Sequence, residues 1–219
     1  MMSNKSSNVV KRLLGMKELD REMVNTFSQI AEYNRNGDFV KSYKLLNTLP
    51  QKLKDTRLIS AQLTSISQYI SDEEYSQQLS QLDRLHGDDP GLSFLLLDHY
   101  YDTKQYKRAV EGLNRLNLRF GNDSAIVHLM AATELAAGNS LNALLSIDKA
   151  IKLEPAKEDL YWFKIEILKS SNNFKQLIVL IDKITDTFGT ELDLDFIQSS
   201  PEWKSFVESN EFKKRYGNS

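Results

Sequence analysis

Apolar and polar positions along this chain recur at a strict 34-residue step. Leu79, Leu113, Ile147 and Ile181 share one column; Tyr75, Ala109, Ala143 and Leu177 share a second; Leu82, Leu116, Ala150 and Ile184 share a third. Within each stretch the columns stand four and then three residues apart, the spacing of one apolar face of an α-helix. Stretches starting at Pro90, Ser124 and Glu158 superimpose in this way. The unit continues back over 56–89 and, with a step one residue shorter, over 23–55. A period of this length marks a helix-turn-helix unit that cannot bury its own apolar face and therefore stacks on copies of itself. The expected fold is all-α, a right-handed solenoid of antiparallel helix pairs with repeats at 23–55, 56–89, 90–123, 124–157 and 158–190.

Turn and cap residues punctuate the pattern where such pairs require it. Gly37-Asp38-Phe39 and Gly138-Asn139 read as tight turns between helices, and Pro50 and Pro155 close their pairs. Asp89-Pro90 reads as an N-cap with proline at the first helical position, and Ser71 with Glu74 as a capping box. Turns are predicted near 36–38, 70–72, 103–105, 137–139 and 171–173. Outside the period, 1–22 reads as an N-terminal helix or arm with Val9, Val10, Leu13 and Leu14 at helical spacing. The 191–219 segment starts a helix at Ser200-Pro201-Glu202 and carries an apolar stripe of Phe196, Trp203, Phe206 and Phe212, so it is expected to cap the exposed face of the last pair.

These residues carry a family resemblance. Tyr100, Tyr106, Ala109, Leu113 and Leu116 in one copy, and Ala131, Gly138, Ala143, Ile147, Ala150 and Pro155 in the next, resemble the tetratricopeptide repeat at that family's spacing. The likeness covers 23–190, about three quarters of the chain; it is strong over 90–157 and degenerate over 56–89, where Tyr75 fills a column that usually holds alanine. Glu134 also departs, standing where Tyr33, Tyr100 and Leu168 stand in other copies, and a salt link to an adjoining lysine is expected for it.

In tetratricopeptide arrays the first helix of each pair lines a concave surface, and the resemblance implies where a ligand would sit. Ile30, Leu63, Leu97, Ala131 and Ile165 should face the partner helix, while Phe27, Ser60, Phe94, His128 and Trp162, three positions earlier, should point into the groove. Asp98, Tyr101, Leu135 and Glu166 join the same set. Rings bordered by carboxylates suit an extended or helical peptide with apolar anchors and a basic residue. The alternative is that the rings, Phe27 and Phe94 above all, are inter-repeat packing. Trp162 is the stronger anchor candidate because Tyr161 beside it can do the packing. One peptide-binding subset of the family grips a C-terminal carboxylate with lysines and asparagines, but the corresponding positions here hold Phe27 and Ala31, Ser60 and Ser65, and Phe94 and Asp98, so that clamp is absent.

Composition narrows the classes further. With 28 Lys+Arg against 30 Asp+Glu the formal charge is −2, which argues against wholesale capture of nucleic acid or anionic membrane. The basic run Lys213-Lys214-Arg215 reads as a solvated helix end. A chain without cysteine has no disulfide framework, thiolate metal site or cysteine nucleophile. His86, His99 and His128 lack metal-ligand spacing, and Asp72-Glu73-Glu74 and Asp88-Asp89 sit where helix starts favour negative charge. No catalytic residue, cofactor or metal is therefore expected, and no apolar run is long enough to span a bilayer. The opening residues lack the apolar run of a secretory signal; the doubled Met reads as an added start codon, so the expected compartment is the cytoplasm, or the periplasm or exterior if a leader has been removed. The functional expectation is a non-catalytic scaffold that binds a protein or peptide partner. Self-association as a homodimer, or service as a regulatory domain of a larger enzyme, are the alternatives.

Overall fold

The computed structural model describes residues 21–217, and no strand occurs among them. The helix expected around Val9–Leu14 lies outside the described residues. The helices gather into two compact units that divide between His99 and Tyr100.

The first unit contains α1 (Arg21–Arg35), α2 (Phe39–Asn47), the one-turn α3 (Gln51–Lys54), α4 (Arg57–Ser67), α5 (Asp72–His86) and the beginning of α6 (Ser93–Asp102). Helix α1 packs on α2, α2 on α4, and α4 on α5. The apolar faces of α1, α2 and α4 meet in a core of Phe27, Ile30, Leu46, Ile59 and Leu63, with Tyr43 reaching from α2 towards α5. The Tyr43 hydroxyl donates to Glu74 at 2.6 Å and accepts from Gln78 at 3.2 Å. Burial, and then the Glu74 carboxylate, hold that hydroxyl above its ordinary pKa. Ser71 accepts the Glu74 backbone N–H at 3.2 Å, as a cap should. The Glu74 carboxylate is occupied by Tyr43, so the reciprocal half of the box is replaced by a tie between helices. Asp89 accepts from the Gly91 N–H at 2.8 Å, but Pro90 opens a 3₁₀ turn over Pro90–Leu92 and the α-helix begins only at Ser93.

The second unit holds the end of α6, then α7 (Tyr106–Phe120), α8 (Ser124–Ala136), α9 (Ser140–Leu153), α10 (Glu158–Ser170) and α11 (Phe174–Phe188). Each helix from α7 to α11 packs on the next. The periodic columns are the buried ones: Ala109, Leu113 and Leu116 on α7, Ala143, Ile147 and Ala150 on α9, and Leu177, Ile181 and Ile184 on α11. Ala131 and Ala143 are both fully buried, the small pair that lets α8 and α9 approach closely. In α6 the register differs from expectation by one residue, because Leu96 is fully buried and Leu97 only half-buried.

The turns between paired helices fall at 36–38, 103–105, 137–139 and 171–173 as predicted, while that of the second copy lies at 68–71. Four of these turns place a left-handed residue at their middle position: Gly37 (φ 77°), Lys104 (φ 56°), Gly138 (φ 76°) and Asn172 (φ 53°). Glycine meets this need without strain and asparagine tolerates it, whereas a lysine Cβ is crowded there.

After α11 the chain leaves the period in short pieces: α12 (Leu194–Ser199), a 3₁₀ turn at Pro201–Trp203, α13 (Lys204–Val207) and α14 (Asn210–Tyr216). They close over α10 and α11 in one cluster with Tyr161, Ile165, Leu168, Leu177 and Ile181. Phe206 is fully buried at its centre, within 5.1–5.8 Å of the rings of Phe174, Trp203 and Phe212. The Lys169 ammonium sits 4.5 Å above the Trp203 ring. Phe196, expected in the apolar stripe, is instead 54% exposed, and its neighbour Ile197 takes the buried place.

The repeated left-handed position makes a direct prediction. Lys104→Gly should raise stability by a few tenths to about 1 kcal/mol, while Gly138→Ala, which meets open space but an unfavourable φ, should lower it by about 1 kcal/mol. Urea denaturation of the two variants checks both signs.

Candidate partner-binding surface

The residues predicted to line a groove divide between the two units. Phe27, Phe94 and Asp98 belong to the first. Phe27 is buried in its core in one cluster with Ile30, Tyr43 and Leu46, so it supplies packing and not a ring open to a ligand. Phe94 is 53% exposed and Asp98 is exposed.

Tyr101, His128, Leu135, Trp162 and Glu166 belong to the second unit, on the first helix of successive pairs. The Tyr101 ring stands edge-on to Tyr106 at 5.6 Å. Thr133 gives its one hydroxyl proton to the Leu129 carbonyl at 2.8 Å, so Tyr101 is the donor in its 2.8 Å bond to Thr133, a tie from α6 to α8. His128 of α8 meets the edge of Phe163 of α10, with ring centroids 4.6 Å apart. Burial, and then the charge of Lys157, lower the His128 pKa from 6.5, while Asp159 acts in the opposite sense. Leu135 is half-buried against the core between α8 and α9.

Trp162 is half-buried against the C-terminal cluster, with its indole N–H donating to Glu158 at 2.9 Å, one helical turn back. Its polar atom is thus satisfied within its own helix, and a ligand would meet only the ring. Tyr161 does the packing: it is buried, donates to the Pro155 carbonyl at 3.0 Å, and stands edge-on to Phe188 at 5.2 Å. Glu166 is exposed and pairs with Lys169 at 2.7 Å, so the surface beside Trp162 is a charge pair and not a bare carboxylate.

Glu158, Phe163 and Lys169 complete this surface and were not singled out from the sequence. The four-residue step from Glu158 to Trp162 was the available signal. Glu134, expected in a salt link, is half-buried and makes no ion pair with any described residue. No group of acidic and histidine side chains suited to a metal occurs among the described residues, nor any helix long and apolar enough to cross a membrane. Of the other histidines, His86 Nε2 lies 2.9 Å from the Asp55 carbonyl oxygen, and His99 is buried.

Because His128 binds a proton less readily in the folded chain than in the unfolded one, it should weaken the fold as pH falls through about 6.5, with the loss complete below its lowered folded pKa. The drop in melting temperature between about pH 7.5 and about pH 5 should therefore be smaller in His128→Gln than in the parent chain. Equal drops would place the histidine's charge outside the folding equilibrium.

No protein-family model matches the sequence, and no curated protein matches it. Solved structures do match. A structure of MamA from residue 41 to its end, from Desulfovibrio magneticus RS-1, has a TM-score of 0.57 and 14% identity, covering 84% of this chain and 100% of that one. A tetratricopeptide repeat protein from Parabacteroides merdae has a TM-score of 0.57 and 10% identity, covering 87% of this chain and 74% of that one. A further MamA structure has a TM-score of 0.53 and 11% identity, covering 98% of this chain and 97% of that one. Identities this low speak for the fold alone. The chain has a tetratricopeptide-like, all-α fold of stacked helix pairs.

Proposed function

We propose that the protein is a non-catalytic interaction scaffold whose second unit grips a segment of a partner protein along the face formed by the first helices of its pairs. The observation that carries this reading is the pair of in-register rings, His128 and Trp162, half-buried beside the buried layer of Val127, Ala131, Tyr161 and Ile165. The outer rings are only partly covered, His128 by Phe163 and Trp162 by the C-terminal cluster, and aromatic side chains left partly open are the usual anchors of an interface. The Glu166–Lys169 pair beside Trp162 can orient a partner's charged or polar groups, and a half-buried Leu135 extends the apolar strip. The fitting occupant is an extended or helical peptide with apolar side chains at repeat spacing.

Panning a random peptide library against the chain tests this reading. Trp162→Ala should cost well under half of the roughly 3–5 kcal/mol that a fully buried tryptophan costs, because only part of its ring is covered. The same change should weaken selected peptides by at least about 2 kcal/mol of binding free energy. Peptides that hold the variant as tightly as the parent, or a variant that unfolds, would show that Trp162 is packing and not an anchor.

A further inference from the structure

The opposite side of the second unit, formed by the second helices of the pairs, carries a feature that the reading above does not use. Leu145 on α9 and Val179 on α11 stand one period apart and are 64% and 65% exposed, where the equivalent residue on α7 is Glu111. Apolar side chains this exposed on adjacent repeats contribute nothing to the core. Val179 and Lys175 form a ridge between two grooves. One, of about 610 Å³, runs between α9 and α11 over the floor of α10; the other, of about 470 Å³, runs between α11 and α14, with Ile178 and Val179 along α11.

The charges around these grooves are unbalanced. Lys164, Lys175, Lys183, Lys214 and Arg215 line them, against Asp148 and Glu211. Two of the cations are neutralised at home, Lys164 by Asp148 at 2.6 Å and Arg215 by Asp182 at 3.1 Å. Lys175, Lys183 and Lys214 make no ion pair with any described residue, and Lys183 lies 5.1 Å above the Tyr161 ring. A chain whose formal charge is −2 thus presents an apolar ridge flanked by three uncompensated ammonium groups and one carboxylate.

We propose that this face docks an acidic amphipathic helix of a partner protein, with its apolar side chains over Ile178 and Val179 and its carboxylates against Lys175, Lys183 and Lys214. Apolar contact supplies the attachment, and the three cations select the sign of the partner's flanking charge. Nucleic acid fits less well. Phosphates gain nothing from an apolar ridge, and three cations are few for backbone binding. The site is separate from the Trp162 surface, so either can fail without the other.

The test uses a fluorescein-labelled, 18-residue helical peptide with leucines on one face and glutamates on the other, followed by fluorescence anisotropy against the full chain. Binding should be in the micromolar range and weaken as salt rises. It should fall at least about tenfold in the double variant Lys175→Glu/Lys214→Glu and in Val179→Asp, both at exposed positions that leave the helical circular dichroism unchanged. Trp162→Ala should leave it intact. A peptide with lysine in place of every glutamate should not bind. The proposal is overturned if the acidic peptide stays unbound at several hundred micromolar, or if the variants bind it as the parent does. It is equally overturned if the lysine peptide, an oligo-dT strand or phosphatidylserine vesicles bind more tightly, or if light scattering shows a dimer that Val179→Asp dissolves.

Discussion

A pair of helices has two apolar faces and only one partner between them, and everything else in this protein follows from that deficit. Each pair covers its inner face by itself and must borrow the next pair to cover its outer one. The demand is met by repetition as long as repeats continue. Leu113, Ile147 and Ile181 are buried at the same point of successive units because each meets the same surroundings. Where repetition ends, the outer face of α10 and α11 is closed by unrelated sequence, and aromatic residues serve because a few of them cover much area. Phe206 and the rings around it do this with short helical pieces that have no regular period of their own.

The same constraint decides which residues are free for function. In a stacked pair, some faces of each helix are committed to neighbours, and what is left over faces solvent. Tyr161 and Trp162 show the division at adjacent positions. The tyrosine is anchored by its hydroxyl and by Phe188, while the tryptophan has its N–H satisfied by Glu158 and keeps part of its ring accessible. On the opposite side of the unit the surplus consists of Leu145, Val179 and the lysines of α11, and charge sets the character of the surface.

Much of the fold was legible because burial in a repeat is a property of position. The columns through Ala109, Ala143 and Leu177, and the turns at 103–105, 137–139 and 171–173, stand where the period put them. The candidate surface was less legible, because side-chain exposure depends on what happens to lie opposite. Phe27 sits at the register position of Trp162, yet it is buried where Trp162 is partly open. Phe196 and Ile197 are equally apolar, and only the path of the chain after Gly189 decides which one turns inward. Glu74 satisfies the spacing of a capping box, but the remote Tyr43 captures its carboxylate. Glu134 was expected to find a lysine, and no described residue pairs with it. Contacts of this kind join residues some thirty positions apart, and a period fixes which residues share a register without fixing which of their atoms meet.

The irregular C-terminal segment covers the last pair, and hydrogen exchange on a chain ending at Gly189 tests its role most directly. Loss of the cover exposes Ile165, Leu168, Leu177 and Ile181, so amides of α10 and α11 should lose protection by orders of magnitude, while those of α1, α2, α4 and α5 keep theirs. Unchanged protection in α10 and α11 would contradict the account.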